Sequence, residues 1–348
     1  MCHFALTLLF KTRHEVRMRK LATIRKVDDI RPIDGADMIE LAVVDGWKCV
    51  TQKGEFAVGD SVIYCEIDSF LPIREEFEFL RKSSFKKMGD DEGFRLRTVK
   101  LRGQISQGLL ISPAVLNREF EMGEDVTEEL GIVKYEPPIP ACLGGTVLGG
   151  FPSSVTKTDE ERIQNLASVY DSYRGKEFFV SEKLDGTSFT CFLDDEFGVC
   201  GRNWQYAEDD KNSFWQAVAN LGLREKMEQL GRRLAVQGEL IGPGIQKNRY
   251  QLKKQQLFVF NVFDIEQFGY LEKEEMNSVS QTLGLEVVPF IDNLKVPDTI
   301  DEILEFAQGK SVLNSQTERE GLVWVHGSGK DRISFKTISN KFLAKHGD

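Results

Sequence analysis

The feature that most constrains the fold is a short polar segment, residues 181–187, that interrupts an apolar part of the chain. Apolar stretches at 178–180 and 188–192 flank it, and this pattern predicts two strands joined by a tight turn at Asp185-Gly186. Lys183 then lies at the mouth of a rigid hairpin, where its amine could act as a nucleophile. The alternative is a solvated lysine on an ordinary hairpin, and residues further along the chain decide between the two.

Composition limits the possible functions. The chain has 348 residues, 41% of them hydrophobic and 29% charged, which is enough to bury the cores of two domains. Its net charge of -10 argues against non-specific coating of nucleic acid, so any polyanion site is expected to be local. Six scattered cysteines without a Cys-x-x-Cys pair favour reduced thiols, a cytoplasmic location and no structural metal cluster. With only four histidines, the chemistry is expected to come from lysine and carboxylates.

The N-terminal residues include an apolar run at 4–10 that basic residues follow. This run is too short to span a bilayer and has no signal-peptide cleavage pattern, so we expect no membrane association. We expect residues 1–17 to be an N-terminal extension that could be disordered. We expect the folded part to begin at Met18.

Short strand-like segments separated by turn signals fill residues 18–135 and predict a small OB-type β-barrel. Within them, basic and apolar residues alternate over 94–102. The alternation places Arg95, Arg97 and Arg102 outside the register of the leucines, so part of this ladder could face a phosphate backbone. A solvated basic strand face explains the pattern nearly as well.

Proline and then glycine mark a linker over 136–152, which leaves residues 153–348 as a second domain. Near its start, the sequence Thr-Asp-Glu-Glu at 158–161 matches a capping box and predicts a helix that continues through Arg162 to Val169. A plain surface charge is the alternative interpretation of Arg162.

Polar motifs follow Lys183 along the second domain. Arg202, within Gly-Arg-Asn, offers a guanidinium suited to a bidentate contact with phosphate. Glu239 ends an apolar strand before a glycine-rich turn, where a carboxylate is costly unless it binds something. Phe263 closes another apolar strand and could cover a base, although most phenylalanines in such strands belong to the core.

A further hairpin adds a second carboxylate and a second lysine. Glu320 precedes its first strand, and Lys336 lies in its second strand. The Gly-Ser-Gly-Lys at 327–330 imitates the end of a Walker loop, but it lacks the upstream glycine spacing and the following helix, so this interpretation is rejected.

Taken in order, the segments EKLDG, GRN, GELIGPGIQ, FNVFDI, EGLVWV and SFK resemble the collinear motifs of the covalent nucleotidyltransferases, the superfamily of ATP-dependent ligases and mRNA capping enzymes. The resemblance covers roughly residues 155–345. An OB-like domain placed before the transferase domain, and the GELIGPGIQ-x-N form, look like the RNA ligases with an N-terminal OB module. DNA ligases and capping enzymes of this superfamily carry their OB domain after it.

The resemblance implies an α+β fold. An N-terminal OB-type β-barrel would precede a nucleotidyltransferase (ATP-grasp-like ligase) domain of antiparallel sheets flanked by helices. It also implies an ATP-dependent RNA ligase that seals 3′-OH and 5′-phosphate ends through a covalent lysyl-AMP and an RNA-adenylate. Lys183 would be the nucleophile, Lys336 would neutralise the α-phosphate, and Asp185, Glu239 and Glu320 would hold Mg²⁺ or Mn²⁺ through its waters.

The remaining residues that the resemblance assigns to the nucleotide have separate roles. Glu182 would read the adenine edge, Phe263 would stack on its face, and Leu184 and Val323 would complete the pocket. The resemblance also assigns the 5′-phosphate and the triphosphate tail to two arginines, Arg202 and Arg162 respectively. Related ligases often end in Lys-x-Lys, whereas Thr337 and Ile338 follow the lysine here, so Lys341 is the candidate for the second cation.

Two other functions stay open. One is a catalytically inactive module that binds a nucleotide or RNA, which the presence of nearly all charged motif residues disfavours. The other is a DNA ligase or a capping guanylyltransferase, which the position of the barrel disfavours. A monomer that acts on RNA without a membrane is the preferred expectation.

Overall fold

The computed structural model describes residues 19–139, 141–329 and 331–346. The predicted N-terminal extension, residues 1–17, and the proposed start at Met18 lie outside these residues. Within the described ranges, none of the helices combines the length and the apolar character that a membrane span requires. Five cysteines of the described part are free thiols, in agreement with the sequence: Cys49, Cys65, Cys142, Cys191 and Cys200.

The N-terminal domain consists mainly of short strands: β1 (Ala22–Lys26), β2 (Asp29–Pro32), β3 (Ile39–Val44), β4 (Trp47–Gln52), β5 (Ser61–Cys65), β6 (Ser69–Pro72), β7 (Phe85–Met88), β8 (Asp91–Arg95), β9 (Val99–Leu101), β10 (Gln104–Ser106), β11 (Leu109–Ile111) and β12 (Val133–Lys134). A short helix, α1 (Arg81–Ser84), and two 3-10 helices (Glu75–Leu80 and Pro113–Leu116) complete it.

These strands form four separate sheets, in the orders β1-β5-β11, β2-β3-β4, β12-β6-β8-β7 and β10-β9. No closed barrel is formed by the described strands, although two apolar clusters fill the space between the sheets. The basic ladder expected over 94–102 is split, because β8 ends at Arg95 and β9 begins only at Val99. The Arg95 guanidinium lies 4.4 Å from the centre of the Tyr135 ring, while Arg97 and Arg102 are exposed.

The second domain contains most of the helices: α2 (Ser213–Leu221), α3 (Leu223–Leu230), α4 (Lys273–Leu283), α5 (Ile300–Phe306), α6 (Asn340–His346) and 3-10 helices at Ala141–Leu143 and Ile163–Ser172. Its strands are β13 (Val147–Gly150), β14 (Glu177–Lys183), β15 (Thr187–Leu193), β16 (Phe197–Cys200), β17 (Trp204–Tyr206), β18 (Leu234–Ile241), β19 (Gln256–Asp264), β20 (Gly269–Tyr270), β21 (Glu286–Val287), β22 (Phe290–Lys295), β23 (Gly321–His326) and β24 (Ile333–Ile338).

Two sheets face each other in this domain. The large sheet has the order β13-β17-β16-β15-β18-β19-β20, with β21 also paired to β19, and the small sheet has the order β22-β14-β23-β24. Apart from the parallel β19–β21 pair, the named pairs in both sheets are antiparallel, as the sequence predicts. A register shift where Gln237 and Gly238 meet β19 brings both Phe260 and Asn261 to the gap between the sheets.

The predicted hairpin between the strands that flank Lys183 is wrong. β14 pairs with β22 and β23 of the small sheet, whereas β15 pairs with β16 and β18 of the large sheet. The turn at Asp185-Gly186 therefore crosses from one sheet to the other, because each flanking strand pairs along its length with strands of a different sheet. Lys183 lies at this crossing, at the edge of the gap.

Two other local expectations change. The residues at 158–161 are not helical, so the predicted capping box is wrong. The 3-10 helix begins at Ile163, with Arg162 as its N-cap and no side-chain cap, and is kinked at Leu166. Residues 147–150, which the sequence placed in the linker, form β13 and pair with β17. The hairpin of β23 and β24 forms as the sequence predicts.

Candidate active site

The gap between the two sheets is a cavity of about 830 Å³. Nine of the residues that the sequence singles out line it: Glu182, Lys183, Leu184, Asp185, Arg202, Glu239, Glu320, Val323 and Lys336. They come from both sheets and from the connection between them. The two-sheet architecture thus gathers motifs that lie far apart in the sequence.

Lys183 ends β14, and its ammonium contacts Glu320. The distance from Lys183 Nζ to Glu320 Oε1 is 2.7 Å, and both side chains are largely withdrawn from solvent. The contact follows from strand register, because Lys183 pairs with Gly321 and Glu320 directly precedes that glycine. The sequence pattern Glu-Gly before an apolar strand thus places a carboxylate beside the lysine.

Glu239 reaches the same point from the large sheet. Its strand neighbour on β15 is Ser188, and its Oε1 accepts a hydrogen bond of 3.0 Å from the backbone N–H of Gly186. A Cβ on Gly186 would lie 2.5 Å from the carbonyl oxygen of Leu240, so no side chain fits at this point of the crossing. Burial raises the pKa of Glu239 to about 8, with Lys183 opposing that shift.

Asp185 is held by two residues that the sequence analysis did not identify. Arg249 donates to its carboxylate, and the Tyr250 hydroxyl accepts the backbone N–H of Asp185 at 2.6 Å. The Arg249 guanidinium also lies 5.0 Å from the centre of the Phe342 ring in α6. A signal for both residues existed in the Gln-x-Asn-Arg-Tyr segment that follows the glycine-rich turn.

The carboxylates control the charge of Lys183. Burial alone lowers the pKa of its amine, but the negative charges of Glu320, Glu239 and Asp185 outweigh burial and raise the pKa above its ordinary value. The protein by itself therefore favours the ammonium form. Neutralising these carboxylates with a cation removes the attraction and leaves the effect of burial, which favours the neutral amine.

A second charge cluster lies across the cavity. Arg202 donates from Nη2 to both carboxylate oxygens of Asp159, each at 3.0 Å, and Lys336 Nζ lies 3.6 Å from Asp159 Oδ1. Burial lowers the pKa of Lys336 to about 8, although Asp159 opposes the shift. Asp159, which the sequence analysis treated only as part of a helix cap, is thus a charged member of the cavity wall.

Three of the predicted residues do not line this cavity. Arg162 is 5% exposed; it lies 3.7 Å from Asp68 of the N-terminal domain and 5.7 Å from the centre of the Trp47 ring. The backbone pairing explains this position. Residue 162 forms an isolated β-bridge with Lys336 at the edge of β24, and its side chain points toward the N-terminal domain.

Phe263 and Lys341 are the other two. Phe263 is 1% exposed and packs edge-on against Phe268 and Tyr270 in a separate apolar cluster, so it is a core residue. Phe260, nearer the start of the same strand, lines the cavity instead. Lys341 is exposed on α6, because that helix turns Phe342 and Leu343 inward.

Glu182 is buried next to Lys183 in the chain, and its Oε2 accepts the backbone N–H of Val312 at 2.8 Å. This contact anchors the segment before β23. Burial raises the pKa of Glu182. Leu184 is 3% exposed and packs against Ile241 and Tyr250, so it forms part of the cavity floor.

The donor set suits a hydrated divalent cation. Glu320, Glu239 and Asp185 all line the cavity, and the charges of all three act on Lys183. Across the described ranges of the chain, no group of three His, Cys, Asp or Glu side chains is close enough to chelate a metal ion directly. Carboxylates that lie near one another without meeting at one point fit a cation that keeps waters between itself and the protein, as Mg²⁺ commonly does.

The sequence and the structure resemble known RNA ligases. Residues 21–113 match a family model described as an OB-fold domain, and residues 176–338 match the RNA ligase model. Comparison with curated proteins gave no match.

Solved structures of Naegleria gruberi RNA ligase variants are similar over nearly the whole chain. One with ATP and Mn has 43% identity and a TM-score of 0.88, covering 94% of this chain and 99% of the other. One with AMP and Mn has the same identity and coverage and a TM-score of 0.87. A structure of that ligase with pyrophosphate has 43% identity and a TM-score of 0.86, again covering 94% and 99% of the two chains. With its motifs gathered in one cavity and this similarity along its length, the chain belongs to the RNA ligase family.

Proposed function

We propose that this chain is an ATP-dependent RNA ligase in which Lys183 becomes covalently attached to AMP. The observation that carries the proposal is the position of Lys183 Nζ, which lies in the cavity 2.7 Å from Glu320 and within the field of Glu239 and Asp185. The Naegleria relatives, whose structures contain ATP or AMP with Mn, support the choice of nucleotide and metal. The proposed joining of a 3′-OH end to a 5′-phosphate end follows from the family resemblance. The choice of RNA as the polymer has the same basis.

The cavity offers a place for each part of ATP. Val323 of the small sheet and Phe260 of the large sheet line opposite walls, which suits a flat adenine between them. Lys183 on β14 and Lys336 on β24 lie on either side of β23 in the small sheet, and both line the cavity. In the proposed complex both lysines contact the α-phosphate.

In the first step the neutral amine of Lys183 attacks the α-phosphorus, forms a P–N bond and expels pyrophosphate as the P–O bond breaks. At pH 7, only about one in two thousand ordinary lysine side chains, with a pKa of about 10.4, is neutral. This deficit of neutral amine corresponds to a free-energy cost of about 4.6 kcal/mol. The carboxylates around Lys183 increase this deficit as long as they are uncompensated. Lys336 stabilises the negative charge that builds on the phosphate oxygens.

The metal supplies a positive charge that both compensates these carboxylates and polarises the phosphate. Asp185, Glu239 and Glu320 are the residues that would hold it. Because the pKa of Glu239 is raised to about 8, this carboxyl must lose its proton when the cation binds.

In the later steps AMP moves from Lys183 to the 5′-phosphate of RNA, and a 3′-OH then attacks that phosphate and releases AMP. Arg202 can pair with the 5′-phosphate, because it lines the cavity and is about half exposed. Arg97 and Arg102 of the N-terminal domain are exposed cations for the RNA backbone. The chain is proposed to act as a cytoplasmic monomer, away from membranes.

Transfer of label from α-labelled ATP to the protein chain tests the proposal. We expect α-labelled ATP and Mn²⁺ to transfer label to the wild-type chain and not to Lys183→Ala, because the variant has no amine at the cavity edge. Lys341→Ala is the matched control, since Lys341 is exposed on α6 outside the cavity, and it should label normally. Absence of label on the wild-type chain would support an inactive binding module, and label from α-labelled GTP would support capping.

The RNA specificity is tested with nicked substrates. We expect sealing of an RNA nick with a 3′-OH and a 5′-phosphate and no sealing of the same nick with a 5′-OH, because the adenylate needs a phosphate acceptor. Gel separation of the joined strand measures the outcome. Equal or faster sealing of a matched DNA nick would overturn the choice of RNA.

The carboxylates are tested separately. We expect Glu239→Gln and Glu320→Gln to lower the adenylylation rate by about 100-fold and the affinity for Mn²⁺ by about 10- to 100-fold, since each loses a charge that holds the cation. Electron paramagnetic resonance of free Mn²⁺ measures binding without turnover. The control is Glu318→Gln, whose carboxylate pairs with Lys310 at 2.6 Å outside the cavity. Near wild-type adenylylation in both site variants would remove the metal proposal.

The pH dependence follows from Lys336. Its pKa of about 8 in the free enzyme means that its charge is present below pH 8 and is lost as pH rises through that value. We therefore expect kcat/KM for ATP to rise with pH below about 8, as the neutral fraction of Lys183 grows, and to level off above about pH 8, because the loss of charge on Lys336 offsets that gain. In Lys336→Arg the guanidinium stays charged, so kcat/KM should keep rising above pH 8 even though the maximum rate is lower. A profile that still levels off near pH 8 in Lys336→Arg would contradict this role.

A further inference from the structure

The negatively charged side chain of Asp159 lies between cationic side chains that line the cavity. Both oxygens of Asp159 accept a hydrogen bond from Arg202 Nη2 at 3.0 Å, and Lys336 Nζ is 3.6 Å from Oδ1. The charges of Lys134, from the N-terminal domain, and of Lys157 also act on Asp159. The carboxylate thus contacts two cavity cations, Arg202 and Lys336, which are the side chains that a phosphate group would also use.

The charge of Asp159 persists over the working pH range. Burial opposes ionisation, but Lys336, Arg202 and Lys134 outweigh it and hold the pKa of Asp159 well below its usual range. The guanidinium of Arg202 binds this carboxylate through charge-assisted hydrogen bonds, which it can form equally with a phosphate. A substrate phosphate that approaches Arg202 and Lys336 therefore meets an anion already in place.

The backbone close to Asp159 is attached to β24, whereas its side chain is partly exposed to solvent. The backbone N–H of Lys336 donates to the Glu161 carbonyl at 2.8 Å, and residue 162 bridges to Lys336. The Asp159 side chain, two residues earlier, is 45% exposed. It can leave Arg202 and Lys336 by rotation toward solvent while the segment stays attached to β24.

We infer that Asp159 is an internal substitute for a substrate phosphate, which pairs with Arg202 and Lys336 in the empty site, gives way when a phosphate binds and returns when it leaves. This inference rests on the proposed function of the cavity. The exchange makes and breaks no covalent bond, since one anion replaces another on the same cations. Its consequence is weaker retention of pyrophosphate, which disfavours reversal of the adenylylation step.

Calorimetric titration of the full-length, unadenylylated chain with inorganic pyrophosphate in a metal-free chloride buffer tests the inference. We expect Asp159→Asn to bind pyrophosphate about tenfold more tightly than the wild-type chain, because the competing charge is gone. Asp159→Glu, which keeps the charge, should bind within about twofold of the wild-type chain. The matched control is Glu160→Gln, which removes a neighbouring carboxylate that pairs with Arg332 at 2.9 Å instead, and it should also change the affinity by less than about twofold.

The same titration with a 5′-phosphorylated RNA oligonucleotide and its 5′-OH counterpart identifies the phosphate that Asp159 imitates. Tighter binding of pyrophosphate, of the phosphorylated RNA or of both by Asp159→Asn supports the inference and names the displaced group. Equal or weaker binding of both ligands overturns it and leaves Asp159 as a group that only orients Arg202. These titrations require no adenylyl transfer, so failure of the wild-type chain to label with ATP would refute the ligase proposal independently.

Discussion

The attraction between Lys183 and Glu320 is the contact on which the site depends. It joins two strands of the small sheet at the point where the chain crosses to the large sheet, and Glu239 of the large sheet reaches the same place from the opposite side. The same attraction that assembles the site keeps the amine protonated. If Lys183 is the nucleophile, as proposed, assembly and reactivity are opposed, and a cation bound to the carboxylates would reconcile them. Under this proposal the metal, and not the resting protein, makes the amine reactive.

Much of the site could be predicted because its residues belong to short motifs whose order along the chain is informative. Lys183, Glu239 and Glu320 lie where the motifs place them, and all three line the cavity. Strand pairing could not be predicted in the same way. The Asp-Gly sequence favours a hairpin turn locally, but pairing with β23 and β18 decides the path of the two strands.

The errors at single residues have related causes. An apolar strand does not reveal which of its aromatic side chains faces the gap, and a register shift in β18–β19 brings Phe260 there while Phe263 stays in the core. Arg162 was assigned without knowledge of the domain interface, where Asp68 and Trp47 contact it. Asp159 carried a local signal for a helix cap, and only the folded chain shows its contact with Arg202.

The backbone contact between residues 161–162 and Lys336 has a consequence for how the molecule can be divided. This short segment pairs with the outer edge of β24 at Lys336, so the small sheet is completed by residues that directly precede the 3-10 helix at Ile163–Ser172. A fragment that begins after this segment would present a bare sheet edge beside the active site and invite pairing between copies. A fragment that keeps the second domain intact must therefore begin upstream of residue 159, wherever the N-terminal domain is cut away.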